Sequence, residues 1–178
     1  IVFPNPKINL GLRIHRKRED VYHDLETVFY PVALKDALEI IPLGHQEKTS
    51  AFPFSLSGTE IGGRLTSNLC VLAYKLLKKD FPDLPHIRMH LHKTIPSGAG
   101  LGGGSSDAAF TLLLLNNMFG LQLNREQLIR YANELGSDCP FFIINKPCYA
   151  TGRGEVLEEV DIDLSAYRIV IVNPGIHI

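Results

Sequence analysis

The 178-residue sequence has few cysteines, no excess of charge of either sign and no long hydrophobic run. Its three cysteines are odd in number and lack Cys-x-x-Cys spacing, which argues against a disulfide framework and against a zinc knuckle. They are Cys70, Cys139 and Cys148. This cysteine usage fits a reducing compartment, and we therefore expect a cytoplasmic location.

The small net charge limits the classes of partner that we expect. The formal charge is −1, so there is no electrostatic reason to expect a nucleic acid or a membrane surface as a partner. The basic run 15–18 is followed at once by Glu19 and Asp20, as in a solvated turn. The apolar run Phe110–Leu115 is far too short to span a membrane. With 45% hydrophobic residues, the chain suits one domain with a substantial core.

What the sequence does have is a glycine-rich stretch, Lys93–Ala109. Glycines at 98, 100, 102, 103 and 104 leave the backbone N–H groups unhindered, so the loop can wrap closely around an anion. Three good N-cap residues follow, and they predict a helix that begins near Ala108: Ser105, Ser106 and Asp107. A helix N-terminus behind a glycine loop favours phosphate.

Several known loops share parts of this pattern. Gly98-x-Gly100-x-x-Gly103 matches a dinucleotide-binding fingerprint, but the preceding 86–92 alternates polar and apolar residues, as a half-exposed antiparallel strand does. A nucleotide-triphosphatase loop would need a lysine where Gly104 stands. A flexible linker would have no structured flanks, whereas a strand precedes this loop and a capped helix follows it.

Hydrophobic periodicity predicts the other elements. Residues 7–14 form a strand with Ile8, Leu10, Leu12 and Ile14 on the buried face, and with Lys7, Asn9 and Arg13 opposite. Further strands are expected at 25–30, 36–41, 86–92 and 168–172, the last one buried, and 47–63 suggests a strand and a hairpin. Helices are expected at 69–79, capped by Ser67-Asn68, and from a capping-box-like start at 124–127 to a C-cap at Gly136. Residues 151–155 are expected to form a turn.

Other polar residues allow both functional and structural interpretations. Lys7 and Asn9 project together and could line a cleft, or simply form a solvated strand face. Tyr22-His23 could stack on a base or pack at a loop end. Asp138 lies between a helix end and a hydrophobic run, where a cap or turn role is common. The three histidines of 86–92 share a strand face, but no Cys, Asp or Glu in register completes a zinc site.

The pattern at 96–109 resembles the phosphate loop of the GHMP kinases, named for galactokinase, homoserine, mevalonate and phosphomevalonate kinases. GLGGGSSDAA is similar to the subfamily that acts on a cytidine-diphosphate-linked methylerythritol, whereas most other members read GLGSS. Lys7-x-Asn9 and Gly136-x-Asp138-x-Pro140-Phe141 also match family motifs, in order and at family spacing. The resemblance covers nearly the whole chain.

This resemblance implies an α+β fold of the ribosomal protein S5 domain 2-like type, in which a mostly antiparallel sheet packs against helices and a βαβ crossover is left-handed. It also implies that residues 1–178 are the N-terminal, ATP-binding domain. Family members continue into a C-terminal GHMP domain with a further glycine-rich motif, which we expect to be absent from this chain.

The resemblance also implies the site residues. Lys7 and Asp138 would be catalytic. The acceptor substrate would be bound by Asn9, Tyr22 and His23. ATP would be bound by Asn68, Leu69, Lys93, Pro96, Ser97, Gly98, Ala99, Gly100, Leu101, Gly102, Gly103, Gly104, Ser105 and Ser106. Mg²⁺ would accompany ATP, with ligands that remain unassigned because the serines stand two places later than in the wider family.

The implied function is ATP-dependent phosphorylation of the 2-hydroxyl of the cytidine-diphosphate-linked methylerythritol, in the non-mevalonate isoprenoid precursor pathway. We expect a monomer or weak homodimer with ATP and this small molecule as its partners, and we expect the 178-residue chain alone to be inactive. Two alternatives stay open: another small-alcohol kinase of the GHMP type, and a non-catalytic nucleotide-binding module.

Overall fold

The computed structural model describes residues 1–17, 19, 23–44 and 52–175. The other residues, which include Tyr22 and part of the expected hairpin, lie outside the described ones. In the described residues the strands are β1 (Lys7–Lys17), β2 (His23–Pro31), β3 (Ala37–Pro42), β4 (Phe54–Gly58), β5 (Ile87–Lys93), β6 (Cys148–Thr151) and β7 (Val156–Glu159). The helices are α1 (Leu69–Asp80), α2 (Gly103–Phe119), α3 (Arg125–Leu135) and α4 (Cys139–Ile144), and Leu65–Ser67 forms a 3₁₀ turn.

The strands form two sheets. One has the order β1-β2-β6-β7 and is antiparallel throughout. The other has the order β3-β5-β4, in which β3 and β5 are antiparallel. The predicted α+β architecture with mostly antiparallel pairing is therefore confirmed.

The second sheet contains a βαβ crossover. Strands β4 and β5 are parallel neighbours, and the chain passes from one to the other through α1. The predicted crossover unit is present, and its left-handedness stays a prediction. The strand expected within 47–63 is β4, which pairs in parallel with β5 rather than across a hairpin turn.

Helix α2 runs between two hydrophobic cores and carries residues into both. The larger core lies between the β3-β5-β4 sheet and helices α1, α2 and α3, and includes Leu38, Leu77, Met89, Leu112 and Leu115. The smaller core joins the other sheet to α2 and α4 through Phe29, Ala109, Phe141, Phe142, Cys148 and Ala150. The glycine loop, which leads directly into α2, is therefore held where the two cores meet.

The predicted buried face of β1 was wrong: Ile8 and Leu10 are only half-buried, whereas Lys7, expected on the opposite face, is buried. Beyond Leu10 the alternation itself also changes. Gly11 has a φ of +74°, and the pairing register with β2 shifts between Leu10 and Leu12. This bulge reverses the alternation of side chains. Leu12 consequently pairs with Thr27 on the face that carries Lys7 and Asn9, and it is 56% exposed. Ile14 is 59% exposed for the same reason.

The helix ends partly follow the sequence signals. Asn68 caps α1 by accepting a hydrogen bond from the Cys70 N–H at 2.9 Å. Asn124 and Gln127 form a complete capping box at α3, and Gly136 is its C-cap. The predicted start of α2 was wrong: its N-cap is Gly102, in the left-handed region at φ +68°. Because this glycine turns the loop directly into the helix, the expected cap residues lie inside the first turns of α2.

The predicted buried strand at 168–172 is also wrong. None of the described strands pairs with this segment, and Val170 and Val172 are each 82% exposed. The apolar residues of this segment are typical of a buried strand, but a sequence pattern does not show whether another strand is present to pair with it. The turn expected at 151–155 is present, between β6 and β7.

Two further observations concern the cysteines and the possibility of a membrane-spanning helix. All three cysteines are free and buried, as the absence of a disulfide framework predicts. Among the described helices, none has both the length and the hydropathy needed to cross a lipid bilayer.

Candidate active site

A cavity of about 350 Å³ lies at the N-terminus of α2. The glycine loop, residues 96–105, forms one wall together with Lys93 and Asp107. Ile61 and Ser67–Leu69 form the other wall. The structure thus brings together Asn68, Leu69, Lys93 and the loop, all of which were predicted as ATP-binding residues, whereas Ser106 lies behind this lining.

The loop needs its glycines for backbone conformation and for space. Gly98, Gly100 and Gly102 have φ angles of +65°, +70° and +68°, which glycine adopts without steric cost. A Cβ on Gly103 would lie 2.8 Å from Ile95 Cγ2 and 3.3 Å from Lys93 Nζ. The loop backbone therefore packs directly on the structure beneath it, which leaves its N–H groups available to an anion in the cavity.

Helix α2 adds to this preference for anions. Its first residue, Gly103, lines the cavity, so the unpaired N–H groups and the positive end of the helix dipole lie at this wall. A nucleotide phosphate group suits such a site.

Lys7 lies next to the loop. Its backbone N–H donates to the Leu101 carbonyl at 2.9 Å, and a Cβ on Gly102 would lie 3.5 Å from Lys7 Cε. Its side chain is buried, donates from Nζ to Asn9 Oδ1 at 2.8 Å, and lies 4.7 Å from the centre of the Phe29 ring. The first strand of one sheet thereby places an ammonium group beside the glycine loop.

Asp138 lies on the other side of this ammonium. Its Oδ2 is 3.7 Å from Lys7 Nζ. It occupies the N-cap position of α4, but within the described residues its side chain makes no capping hydrogen bond. The carboxylate is therefore not used in the structural role that its position in the sequence suggested. Gly154 completes this corner: a Cβ there would lie 3.3 Å from Phe29 Cζ and 3.7 Å from Asp138 Oδ1.

Burial lowers the pKa of Lys7 below its usual range, although the charge of Asp138 and the hydrogen bond that Lys7 donates to it favour the ammonium form. A buried lysine beside a carboxylate is thus poised to interact with a second anion. The pair can hold a phosphoryl group next to a group whose proton the carboxylate accepts.

Lys93 is part of a second group of charges. Its ammonium pairs with Asp36 Oδ2 and lies 2.7 Å from Asp107 Oδ2. Burial raises the pKa of the Asp107 carboxyl to about 7, although Lys93 favours its ionised form. The sequence-based prediction missed Asp36 and assigned Asp107 only as a helix cap; the only signal was an aspartate adjoining an apolar segment in each case.

The predicted acceptor residues are only partly described. Asn9 holds Lys7 and in turn donates to Thr27 Oγ1 at 3.1 Å. Tyr22 lies outside the described residues. His23 is exposed at the start of β2, on the face that alternation assigns to Thr27 and Phe29. Six residues of strand separate His23 from Phe29, which is about 20 Å.

A metal site built from protein groups alone does not fit the described residues, since none of them form a cluster of three or more His, Cys, Asp or Glu side chains that could hold an ion. The strand histidines instead contact serines: His90 Nδ1 is 2.8 Å from Ser55 Oγ and His92 Nδ1 is 2.9 Å from Ser57 Oγ. Mg²⁺ commonly binds through few protein oxygens and several substrate phosphates. Ser105 lines the cavity, so its hydroxyl fits that mode of binding, whereas Ser106 is fully buried behind the lining.

The chain is similar to known proteins in sequence and in structure. Residues 68–146 match the family described as GHMP kinases N terminal domain. Over all 178 residues the chain is 53% identical to the 4-diphosphocytidyl-2-C-methyl-D-erythritol kinase of Bacteroides fragilis, and it covers 64% of that relative. A solved structure of 4-(cytidine 5'-diphospho)-2C-methyl-D-erythritol kinase is 36% identical with a TM-score of 0.75, covering 91% of this chain and 55% of that one.

A more distant neighbour shows the fold alone. The structure of Methanococcus jannaschii mevalonate kinase is 12% identical with a TM-score of 0.61, and the match covers 90% of this chain and 55% of that one. Both solved structures have the ribosomal protein S5 domain 2-like fold, so the predicted fold type is confirmed. The chain spans 64% of the length of the Bacteroides fragilis relative.

Proposed function

We propose that this chain is part of a GHMP kinase that, in full-length form, transfers the γ-phosphoryl group of ATP to the 2-hydroxyl of 4-diphosphocytidyl-2-C-methyl-D-erythritol. This reaction belongs to the non-mevalonate isoprenoid precursor pathway. The observation that carries the proposal is the Lys7–Asp138 pair, 3.7 Å apart and next to the glycine loop. The names of the curated relatives supply the acceptor.

The loop and Lys7 act on the phosphoryl group. Backbone N–H groups of residues 98–105 donate to the polyphosphate, and the N-terminus of α2 stabilises its charge. The Lys7 ammonium, fixed by Asn9 and Phe29, stabilises the charge that develops on the transferring group. Mg²⁺ would be held by phosphate oxygens and the Ser105 hydroxyl, and would supply further charge neutralisation when bound.

Asp138 acts on the acceptor. Its carboxylate accepts the proton of the acceptor hydroxyl as that oxygen bonds to the γ-phosphorus and the bond to the β–γ bridging oxygen breaks, which releases ADP. Lys7 beside it favours the ionised carboxylate, the form that a base requires. Gly154 leaves the space beside Asp138 free of a side chain, so that a hydroxyl can approach.

The acceptor's recognition group is proposed to lie along the β1–β2 hairpin. The face that carries Asn9 and Thr27 continues through the exposed Leu12 and Ile14 towards His23. Its length of about 20 Å separates a recognition site at the hairpin end from the reacting hydroxyl near Lys7. An acceptor that carries a nucleoside diphosphate suits this separation, with Tyr22 and His23 binding its cytosine.

The test is turnover by the full-length protein. Asp138→Asn and Lys7→Met should each lower kcat by about 10²- to 10⁴-fold with an unchanged circular dichroism spectrum. Asp161→Asn, the same change at an exposed position, is the matched control and should leave kcat unchanged. Near-normal turnover in Asp138→Asn would remove the mechanism.

Competition separates the remaining alternatives. Cytidine nucleotides should inhibit competitively against the acceptor if the hairpin binds cytosine. A GHMP kinase for another small alcohol would not be inhibited in this way. A nucleotide-binding module would bind an ATP analogue in isothermal titration but would show no turnover with any acceptor.

A further inference from the structure

A buried group of three charged side chains lies beneath the candidate nucleotide cavity. Asp36, Lys93 and Asp107 are 1%, 3% and 2% exposed. The Lys93 ammonium donates to both carboxylates, with 2.7 Å to Asp107 Oδ2. Desolvating such charges is costly, and well-packed apolar side chains often give equal stability. Stability of the fold alone is therefore a weak reason for a charged group at this place.

The position of this group relates it to the glycine loop. Lys93 ends β5 immediately before the loop, and Asp107 lies in the second turn of α2, immediately after it. Their hydrogen bond joins the two ends of the loop. Because this hydrogen bond connects the residues on either side of the loop, the length of the bond sets the distance between the two loop ends.

Asp36 fixes the start of the loop. While its Oδ2 accepts from Lys93, its Oδ1 accepts from the backbone N–H groups of Thr94 at 2.6 Å and Ile95 at 2.9 Å. Asp36 itself is held at the start of β3, where its own N–H donates to the Pro4 carbonyl at 2.9 Å. The Asp36 carboxylate thus attaches both the Lys93 side chain and the two amides that directly precede the loop to a neighbouring strand.

The group also supports the loop from below. A Cβ on Gly103 would be 3.3 Å from Lys93 Nζ and 2.8 Å from Ile95 Cγ2, so the last turn of the loop lies on two residues that Asp36 holds. The described lining of the cavity includes Lys93 and Asp107 but not Asp36. Asp36 is thus separated from a bound nucleotide by the residues that it positions.

We propose that Asp36 is a positioning residue for nucleotide binding: through Lys93 and the Thr94 and Ile95 amides, it holds the ends of the glycine loop in the spacing that binds the polyphosphate. This inference rests on the proposed function for its ligand, a nucleoside triphosphate. It assigns to Asp36 no contact with either substrate. Loss of the Asp36 charge should weaken nucleotide binding while leaving the acceptor side unaffected.

The experiment uses Asp36→Asn in the full-length protein. Asparagine keeps the size of the side chain and an oxygen acceptor but removes the charge that pairs with Lys93. Isothermal titration with a non-hydrolysable ATP analogue should show Kd raised about tenfold or more, because small displacements of positioning groups have effects of that size. The KM for the acceptor should change less than twofold, roughly the scatter of such measurements.

A matched control is available on the surface. Glu159 pairs with Arg125 and Lys146 in an exposed group of three charges, in which one carboxylate contacts two cations. Glu159→Gln removes the carboxylate charge that pairs with both cations, and it should leave the analogue Kd unchanged. An equal weakening in both variants would indicate a general charge effect and would overturn the proposal.

The outcomes separate a positioning role from a purely structural one. A folded Asp36→Asn protein with the wild-type Kd for the analogue overturns the proposal, as does one whose acceptor KM rises in parallel. If Asp36→Asn does not fold, Asp107→Asn releases Lys93 at the other end of the loop, and an unchanged analogue Kd there also overturns it. If the wild-type protein binds the analogue but shows no turnover, only the proposed function is contradicted. The titration still measures the effect of Asp36 on nucleotide binding.

Discussion

Gly102 packs the glycine loop against Phe142, and replacing it with alanine tests that packing. Gly102 caps α2 with φ +68°, where an alanine costs about 1–2 kcal/mol. The new Cβ would lie 3.0 and 3.1 Å from Phe142 ring carbons, so that ring must move by a few tenths of an ångström, whereas the 3.5 Å distance to Lys7 Cε is an ordinary contact. Overpacking of this kind costs about 1–3 kcal/mol more. We expect Gly102→Ala to lower the free energy of unfolding by about 2–5 kcal/mol.

The same helix provides the matched control. Gly120, at the C-cap of α2, has φ +59°, but a Cβ there would meet no atom within 4 Å. Gly120→Ala should therefore cost only the backbone strain, about 1–2 kcal/mol. Urea unfolding followed by circular dichroism measures both variants, and their difference isolates the contact with Phe142.

Turnover distinguishes the two variants further. Because the crowding against Phe142 and the strained φ shift the loop at the N-terminus of α2, Gly102→Ala should lower kcat/KM for ATP about 10- to 100-fold in the fraction that is folded. Gly120→Ala should have wild-type kcat/KM. Equal stability loss in both variants would refute the close packing of the loop against Phe142, and wild-type turnover in Gly102→Ala would refute the need for this loop conformation in catalysis.

Two other predictions concern Lys7 and a pair of asparagines. Since burial lowers the pKa of Lys7 and the mechanism needs its ammonium form, kcat should fall as pH rises through a midpoint below 10.5, the usual value; a pH–rate profile without such a fall contradicts this role. Asn5 and Asn145 exchange side-chain hydrogen bonds of 3.1 and 2.9 Å. A double-mutant cycle with alanine at both positions should give a coupling free energy of about 1–2 kcal/mol, and a value near zero would show that the bonds do not stabilise the fold.

The glycine loop and the helix caps were predictable because their signals are local. Gly98, Gly100 and Gly102 are required by the backbone angles, and Asn124 and Gln127 form the box that their spacing predicts. Sequence pattern alone could not give the approach of Lys7 to Asp138. These residues are 131 positions apart, so their contact depends on how a sheet and a short helix pack together. Only the family resemblance suggested that they belong to one site.

The wrong or missing predictions arose where the local sequence pattern does not determine the structure. The bulge at Gly11 reverses the face of Leu12, and no alternation pattern reveals where one residue is inserted in the pairing. The start of α2 differs from the prediction because Gly102 adopts the left-handed region, which a string of glycines allows at any of several positions. Asp36 was assigned only to a strand, because its partner Lys93 is distant in sequence.

Amide chemical shifts during titration with a non-hydrolysable ATP analogue test the central claim most directly. With ¹⁵N-labelled full-length protein, we predict that the largest shifts fall on the amides of residues 98–104 and on Lys7, whose N–H bonds to the Leu101 carbonyl. Unchanged loop amides, with the shifts instead confined to another surface such as the cavity lined by Tyr30, Tyr167 and Ile171, would contradict a polyphosphate site formed by the glycine loop.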